Sequence, residues 1–335
     1  MSTFRDDLVR YGPGGDFSTA SQAEALAYCE DLTRRHYENF TVASWLLPKR
    51  LRPHFASIYG FCRWSDDLAD EIDDRSESLL LLSWWNQQLE ACYQGTPRHP
   101  VMVALRQTIQ EFDIPITPFQ DLISAFRQDQ IVTRYETFAQ LEDYCRRSAN
   151  PVGHLVLYLG RSVTPESQAY ADQVCTGLQL INFWQDIRRD WEINRVYIPA
   201  EDFARFDLPA DDLAMAARQP RFKELVKFQV DRAEEYLRRG APIVGEVSDD
   251  LKVDVALFVE GGLATVQAVR RFGYDTWNRR PEVSRFTKLR LLTKAWYHAR
   301  LRGSRRYQTD LRGPHQRLGK SLGPQHTEVD RKVPS

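Results

Sequence analysis

Two short acidic runs have residue types and spacing that could do chemistry. The first is Arg63-Trp64-Ser65-Asp66-Asp67-Leu68-Ala69-Asp70-Glu71, in which Asp66 and Asp70 are four apart. On an α-helix that spacing is about 6 Å along the axis and keeps both on one face, where like charges repel unless a cation lies between them. The second is Asn182-Phe183-Trp184-Gln185-Asp186-Ile187-Arg188-Arg189-Asp190, where Asn182, Asp186 and Asp190 repeat the spacing. Large apolar residues surround each row (Tyr59, Phe61, Trp64, Leu68; Leu178, Ile181, Phe183, Trp184). A carboxylate ladder in so apolar a helix should point into a bundle. Hard oxygen ligands with no histidine close by suit Mg²⁺ rather than zinc or iron. Mg²⁺ takes one or two carboxylates and completes its shell with water and phosphate oxygens. Two facing rows therefore imply a diphosphate or triphosphate held by two or three ions. A single acidic pair at this spacing is usually a solvated helix face; two such rows inside apolar helices, one preceded by Arg63, favour the functional reading. No Glu-x-x-His pair supports a di-iron bundle.

The elements that must position these rows are helical. An amphipathic pattern follows Ser18-Thr19 through Ala23, Leu26, Ala27 and Leu32. Pro48 and Pro53 bracket a break, and a second helix carries Phe55 to Glu71. Thr117-Pro118-Phe119-Gln120 and Thr137-Phe138-Ala139-Gln140 both read as capping boxes. Pro165-Glu166 opens a stretch that stays helical to about Trp191, Asn194 to Pro199 interrupts it, and two or three helices follow between Arg221 and Ala299. No sustained alternation, Asn-Gly hairpin or Gly-x-Gly-x-x-Gly points to strands or a Rossmann domain. The expected organisation is a loosely held arm over residues 1–16, one all-α domain over 17–300 and a disordered basic tail over 301–335. That tail holds Arg302, Arg305, Arg306, Arg312, Arg317, Lys320, Arg331 and Lys332 against Asp310, Glu328 and Asp330.

Composition closes several alternatives. With 42% hydrophobic residues, 17 Phe, 14 Tyr and 8 Trp, the 335 residues can bury a sizeable core. Lys and Arg (45) balance Asp and Glu (46), so the chain is no nucleic-acid-binding polycation. Five scattered cysteines without a C-x-x-C pair suit a reducing cytoplasm, and Met1–Asp7 shows no export signal. The longest apolar runs, Leu79–Leu82 and Leu155–Leu159, are far too short to span a bilayer. Of the histidines, His54, His99, His154, His298, His315 and His326 have no metal spacing; Cys62 and Cys145 read as small buried packing residues.

The two rows with their flanks resemble the trans-isoprenyl diphosphate synthases of the squalene/phytoene synthase family, over about residues 20–295. Phe61-Cys-Arg-Trp-Ser-Asp-Asp-Leu-Ala-Asp-Glu71 resembles the family's first aspartate-rich motif, and Gln179-Leu-Ile-Asn-Phe-Trp-Gln-Asp-Ile-Arg-Arg-Asp190 the second. Asn194-Arg-Val-Tyr-Ile-Pro199 is similar to the stretch after the second motif, with Asn194 where Gly or Glu is usual. Tyr144-Cys145, Ala149 and Val152-Gly153 resemble the kinked helix beside the substrate channel. The resemblance implies a single helical bundle of the isoprenoid synthase type around a central apolar cavity, and head-to-head coupling of C15 or C20 allylic diphosphates or reaction of their cyclopropyl product. It implies that Asp66, Asp70, Asn182 and Asp186 hold Mg²⁺, with Asp190 a further helper. It places Arg63, Tyr59, Gln179 and Tyr274 against the diphosphate, with Tyr144 assisting its departure, and His36 near it.

Within the family, His36-Tyr-Glu-Asn-Phe-Thr-Val-Ala-Ser-Trp-Leu-Leu-Pro48 and Ser148-Ala-Asn-Pro-Val-Gly153 look like the hydroxysqualene synthases of the hopanoid pathway. Their Tyr37, Glu38 and Asn150 depart from ordinary squalene and phytoene synthases. The implied reaction starts from presqualene diphosphate: ionisation, cyclopropane opening and capture of the allylic cation by water. Tyr37, Glu38 and Asn150 are the candidates for admitting that water. Aromatic faces can stabilise the cation by about 0.5–2 kcal/mol each; Phe40 and Tyr144 have motif support, whereas Trp45 and Phe61 fit core packing. NADPH is not expected. Sister synthases making presqualene diphosphate, squalene or phytoene remain open, as does a non-catalytic assembly protein of the same fold, which would have eroded rows. C15–C30 substrates partition into bilayers, so peripheral contact with the inner membrane face and with sister pathway enzymes is expected. The tail from Arg302 either attracts anionic lipid or keeps the chain soluble.

Overall fold

Helix-start signals in the sequence mostly become helix starts in the chain. The computed structural model describes residues 3–35, 47–284, 287, 290, 291 and 293. Among these the helices run α1 (Phe4–Tyr11), α2 (Gln22–Arg35), α3 (Arg52–Asp70), α4 (Arg75–Gln94), α5 (Pro100–Phe112), α6 (Thr117–Asp129), α7 (Phe138–Ser148), α8 (Asn150–Leu159), α9 (Pro165–Glu192), α10 (Ala200–Arg205), α11 (Leu213–Ala216), α12 (Arg221–Gly240), α13 (Ile243–Glu246) and α14 (Lys252–Arg271). No strand forms among the described residues; one isolated bridge joins Arg134 and Val196. The molecule is an all-α, single-domain bundle.

Thr137 caps α7 as expected, accepting from the Gln140 N–H while Gln140 reaches back to the cap. Thr117 does not cap α6. That helix begins one residue earlier, with Ile116 at the cap and its carbonyl accepting from the Phe119 and Gln120 N–H groups at 3.1 Å each. Pro118 then falls in the first turn, where its missing N–H leaves one donor fewer to satisfy. The N-terminal arm is also not loose from residue 3 onward. Thr3 and Asp6 form a capping box, Phe4 meets Trp64 edge-on at 5.3 Å, and Asp7 pairs with Arg35 at 3.3 Å. Three anchors of this kind outweigh the entropy of a free arm. The tail over 301–335 lies outside the described residues.

Two apolar clusters make the core. One gathers Phe61, Trp64, Trp85 and Phe119 with α2–α6 and α14; the other gathers Trp184, Phe203, Leu225 and Leu237 with α7, α9 and α12. Phe61 is fully buried and stacks on Trp85 at 5.7 Å, the packing role expected of it. Each fully buried large side chain stabilises the fold by about 1.5–3 kcal/mol. The close approach of α9 and α12 depends on Gly177, where a Cβ would sit 2.8 Å from Leu237 Cγ and 2.9 Å from its backbone N. Between α7 and α8 the chain breaks at Ala149 (φ −120°, ψ −47°). Pro151, just beyond, cannot donate to a continuous helix. This break sits where the kinked helix was expected.

Candidate active site

α3 contributes the first acidic row at its C-terminal end, where Asp66 and Asp70 open into a cavity of about 280 Å³. Asp129, the last residue of α6, Tyr144 and Ser148 of α7, and Gln179 of α9 complete most of its polar wall. Arg195 and Tyr197 enter from the extended stretch after α9. Period-two alternation explains that stretch: Arg195 and Tyr197 face the cavity while Val196 and Ile198 are buried in the core. The Val196 N–H donates to the Thr133 carbonyl at 2.9 Å and fixes the register. Asn194 turns the chain back from α9 with φ 62°. Asn tolerates that left-handed conformation better than most residues.

Crowded negative charge dominates the electrostatics. Burial and the neighbouring Asp70 push the Asp66 carboxyl above its ordinary range, against the pull of Arg63 and Arg195. Burial lifts Asp129 to about 7, although Arg195 and the Tyr144 hydroxyl oppose it. Tyr144 donates to Asp129 Oδ2 at 2.9 Å, while Asp129 Oδ1 is buried with no hydrogen bond. Asp190 is raised to about 7 by burial and by Asp186. Arg195 donates to Asp70 Oδ1 at 3.1 Å and lowers Asp66, Asp129 and Asp190 alike, so this one guanidinium answers to both rows. Tyr197 stacks on Phe183 at 3.7 Å and lies 6.1 Å from the Tyr144 ring, forming an aromatic wall beside the carboxylates.

Of the residues singled out in the sequence, Asp66, Asp70, Tyr144 and Gln179 meet in this cavity. Arg63 lies behind them, donating from Nε to Asp67 at 3.0 Å and pairing with Asp66 at 3.3 Å. Tyr59 is half-buried one helical turn before Arg63. Asn182, Asp186 and Asp190 share the α9 face but do not line the same cavity: Asn182 is exposed, Asp190 borders a small neighbouring pocket with Arg195 and Tyr197, and Asp186 is paired with Arg280. Asn150 is buried and lines neither this cavity nor the apolar one below. Its Oδ1 accepts from the Thr176 hydroxyl at 3.0 Å, a brace between α8 and α9. Tyr274 packs on the second core cluster near the Arg270–Asp231–Glu234 ion pairs, away from both cavities. It occupies the left-handed turn that ends α14, at φ 60°. His36, Tyr37, Glu38, Phe40 and Trp45 lie outside the described residues. Sequence reasoning missed Asp129, Arg195 and Tyr197. The Arg-x-Tyr alternation in Arg195-Val-Tyr197 was a usable signal; a lone Asp at a helix end was not.

The donor set fits a divalent cation. All the acidic groups are hard oxygen donors, burial together with neighbouring carboxylates raises Asp66, Asp129 and Asp190, which a cation would relieve, and Asp129 has an unused buried oxygen. Among the described residues no three acidic, His or Cys side chains converge tightly enough to ligate a bare ion. Asp66, Asp70 and Asp129 would be the carboxylates of this cavity to hold such an ion.

A second cavity, about 170 Å³ and apolar, is walled by Leu178, Val174 and Cys175 of α9 and by Val152, Gly153 and Val156 of α8, with Phe55 and Phe258. Both cavities therefore use α9 and the α7–α8 break, polar on one side and apolar on the other. Among the described residues no helix is long and apolar enough to cross a membrane.

Proteins of known identity share this arrangement of helices. The chain superposes with TM-score 0.73 on a squalene synthase, HpnC, from Alicyclobacillus acidocaldarius, at 38% identity over 76% of this chain and 96% of that one. It is 31% identical to the 15-cis-phytoene synthase of Synechocystis over 84% of this chain and 87% of the relative. It is 34% identical to the hydroxysqualene synthase of Zymomonas mobilis over 66% of this chain and 74% of the relative. The squalene/phytoene synthase family model matches residues 33–287. That span holds both acidic rows, the broken helix between them and the Arg195-Val-Tyr197 stretch that closes the cavity, and the chain belongs to the squalene/phytoene synthase family, with the helical isoprenoid synthase fold.

Proposed function

We propose that the chain converts presqualene diphosphate and water to hydroxysqualene and diphosphate. The observation that carries this reading is the pairing of a carboxylate-lined cavity with an apolar one across α9 and the α7–α8 break. One suits a diphosphate, the other a prenyl chain. Asp66 and Asp70 on α3, with Asn182, Asp186 and Asp190 on α9, would hold Mg²⁺, and enzymes of this family depend on divalent metal. When bound, such ions supply Lewis-acid neutralisation of the leaving diphosphate. Arg63 and Arg195 add fixed positive charge beside the first row, favouring cleavage of the C–O bond by stabilising the anion that departs. Asp129 fixes the Tyr144 hydroxyl, and the Tyr144 and Tyr197 rings line the cavity, where aromatic faces would stabilise a carbocation without adding to it. The cyclopropane opens to an allylic cation, water bonds to carbon, and its proton leaves to solvent or diphosphate.

Similarity to the hydroxysqualene synthases of Zymomonas mobilis and Rhodopseudomonas palustris supports the water-capture step. The phytoene synthase of Synechocystis matches a larger share of the chain, which favours as second reading a sister coupling of two prenyl diphosphates. Incubating purified protein with presqualene diphosphate and Mg²⁺, with and without NADPH, separates them. Hydroxysqualene in both incubations supports the proposal. Squalene only with NADPH, or no turnover of presqualene diphosphate alongside coupling of farnesyl or geranylgeranyl diphosphate, refutes it. Substrates of this length also support peripheral membrane contact; liposome flotation unchanged by deleting residues 302–335 would remove the tail from that role.

A further inference from the structure

The segment after α14 is fastened across the second acidic row. Arg280 donates from Nε to Asp186 Oδ1 at 2.5 Å and from Nη2 to Oδ2 at 2.9 Å, so both carboxylate oxygens carry a guanidinium hydrogen bond. The adjacent Gln185 is buried and donates from Nε2 to the Pro281 carbonyl. Farther along α9, the Trp191 ring meets Trp277 at 5.2 Å. Three attachments within two turns of α9 therefore hold residues 277–281. The first row is held differently: Arg195 reaches only Oδ1 of Asp70.

A divalent ion at a carboxylate needs its oxygen lone pairs. At Asp186 a two-pronged guanidinium holds a lone pair of each oxygen and sets a positive charge against the carboxylate, so a divalent ion has to compete with it for Asp186. We propose that Arg280 is a counter-ion latch that must release Asp186 before the second row takes a divalent cation, and that it thereby sets the ion affinity of that row. This rests on the reading of the rows as divalent-ion sites. Gln185–Pro281 and Trp191–Trp277 are the pivots: they keep the segment on α9 when Arg280 lets go, so the latch can close again. Arg280 acts through Asp186 and is a positioning residue.

The test is titration of the full chain with Mn²⁺ alone, reading free Mn²⁺ by electron paramagnetic resonance. Arg280→Ala should bind Mn²⁺ about fivefold more tightly than wild type, the factor that a partly exposed ion pair is worth. Arg280→Lys, which keeps the charge but loses the two-pronged contact, should fall between wild type and Arg280→Ala. Equal or weaker Mn²⁺ binding by Arg280→Ala, with its helical circular dichroism intact, overturns the latch and leaves the ion sites standing. No Mn²⁺ binding by wild type, with or without inorganic diphosphate, overturns the ion-site reading and the latch with it. Should Arg280→Ala fail to fold, hydrogen exchange in wild type decides: residues 277–284 should exchange faster once Mn²⁺ is added, and unchanged exchange refutes release.

Discussion

Asp129→Asn should make the protein more stable and less active, and the gain should depend on pH in a defined direction. Asp129 is raised from 3.8 to about 7, chiefly by burial. An unfolded chain ionises it near 3.8 and the fold only near 7, so between these values the native state binds the extra proton. Wild-type stability from this group is complete below about 3.8, declines as pH rises, and levels off above about 7. The full difference corresponds to about 4 kcal/mol; because the cavity admits water and ions, about half of that is the expected effect. Asn is neutral throughout, and its Oδ1 can still accept from Tyr144. Urea denaturation without divalent ions, at about pH 4.5 and about pH 8, should show the variant's advantage growing by about 2 kcal/mol. The same variant should lose at least about tenfold in kcat, because Tyr144 and Arg195 lose a charged partner. An advantage that stays flat or shrinks from the acidic to the basic measurement would refute the account of a carboxylate held against its burial.

Three further outcomes follow from the geometry. Asp66→Asn or Asp70→Asn should lower turnover by about a hundredfold or more with unchanged circular dichroism, since each removes charge from the cavity wall; full activity in either contradicts the metal role. Gly177→Ala should destabilise by about 1–3 kcal/mol in thermal or urea unfolding, because its Cβ would press on Leu237 backbone as well as side chain. Val152→Trp, at the exposed rim of the apolar cavity, should raise the KM for a C30 diphosphate about tenfold, equivalent to about 1.4 kcal/mol, with little change in melting temperature.

The acidic rows and helix pattern were legible because helical spacing is local. Asp66 and Asp70 must share a face wherever α3 lies, and the Thr137 capping box needs only four consecutive residues. Thr117 misled because a Pro in the first turn is compatible with two neighbouring start points, which the sequence does not distinguish. The arm over 1–16 misled because its Gly-rich end, Gly12 to Gly15, hid the short helix before it. That helix is held by Trp64, Tyr28 and Arg35, none of them close in sequence. The motif places Asn150 beside the channel, but its neighbour across the α8–α9 contact, Thr176, takes its side chain.

By itself, the sequence determined an all-α fold, the two carboxylate ladders, a kinked helix across residues 144–153 and the family. Tertiary structure alone decided which of these groups meet. Arg195 reaches Asp70 across 125 residues of chain, and Arg280 reaches Asp186 across 94. Asp129 becomes part of the cavity only because α6 ends there. A helix fixes neighbours three and four residues away through its own hydrogen bonds, whereas contacts over a hundred residues depend on how whole helices pack. For that reason the charges could be read from the spacing, and the counter-charges only from the fold.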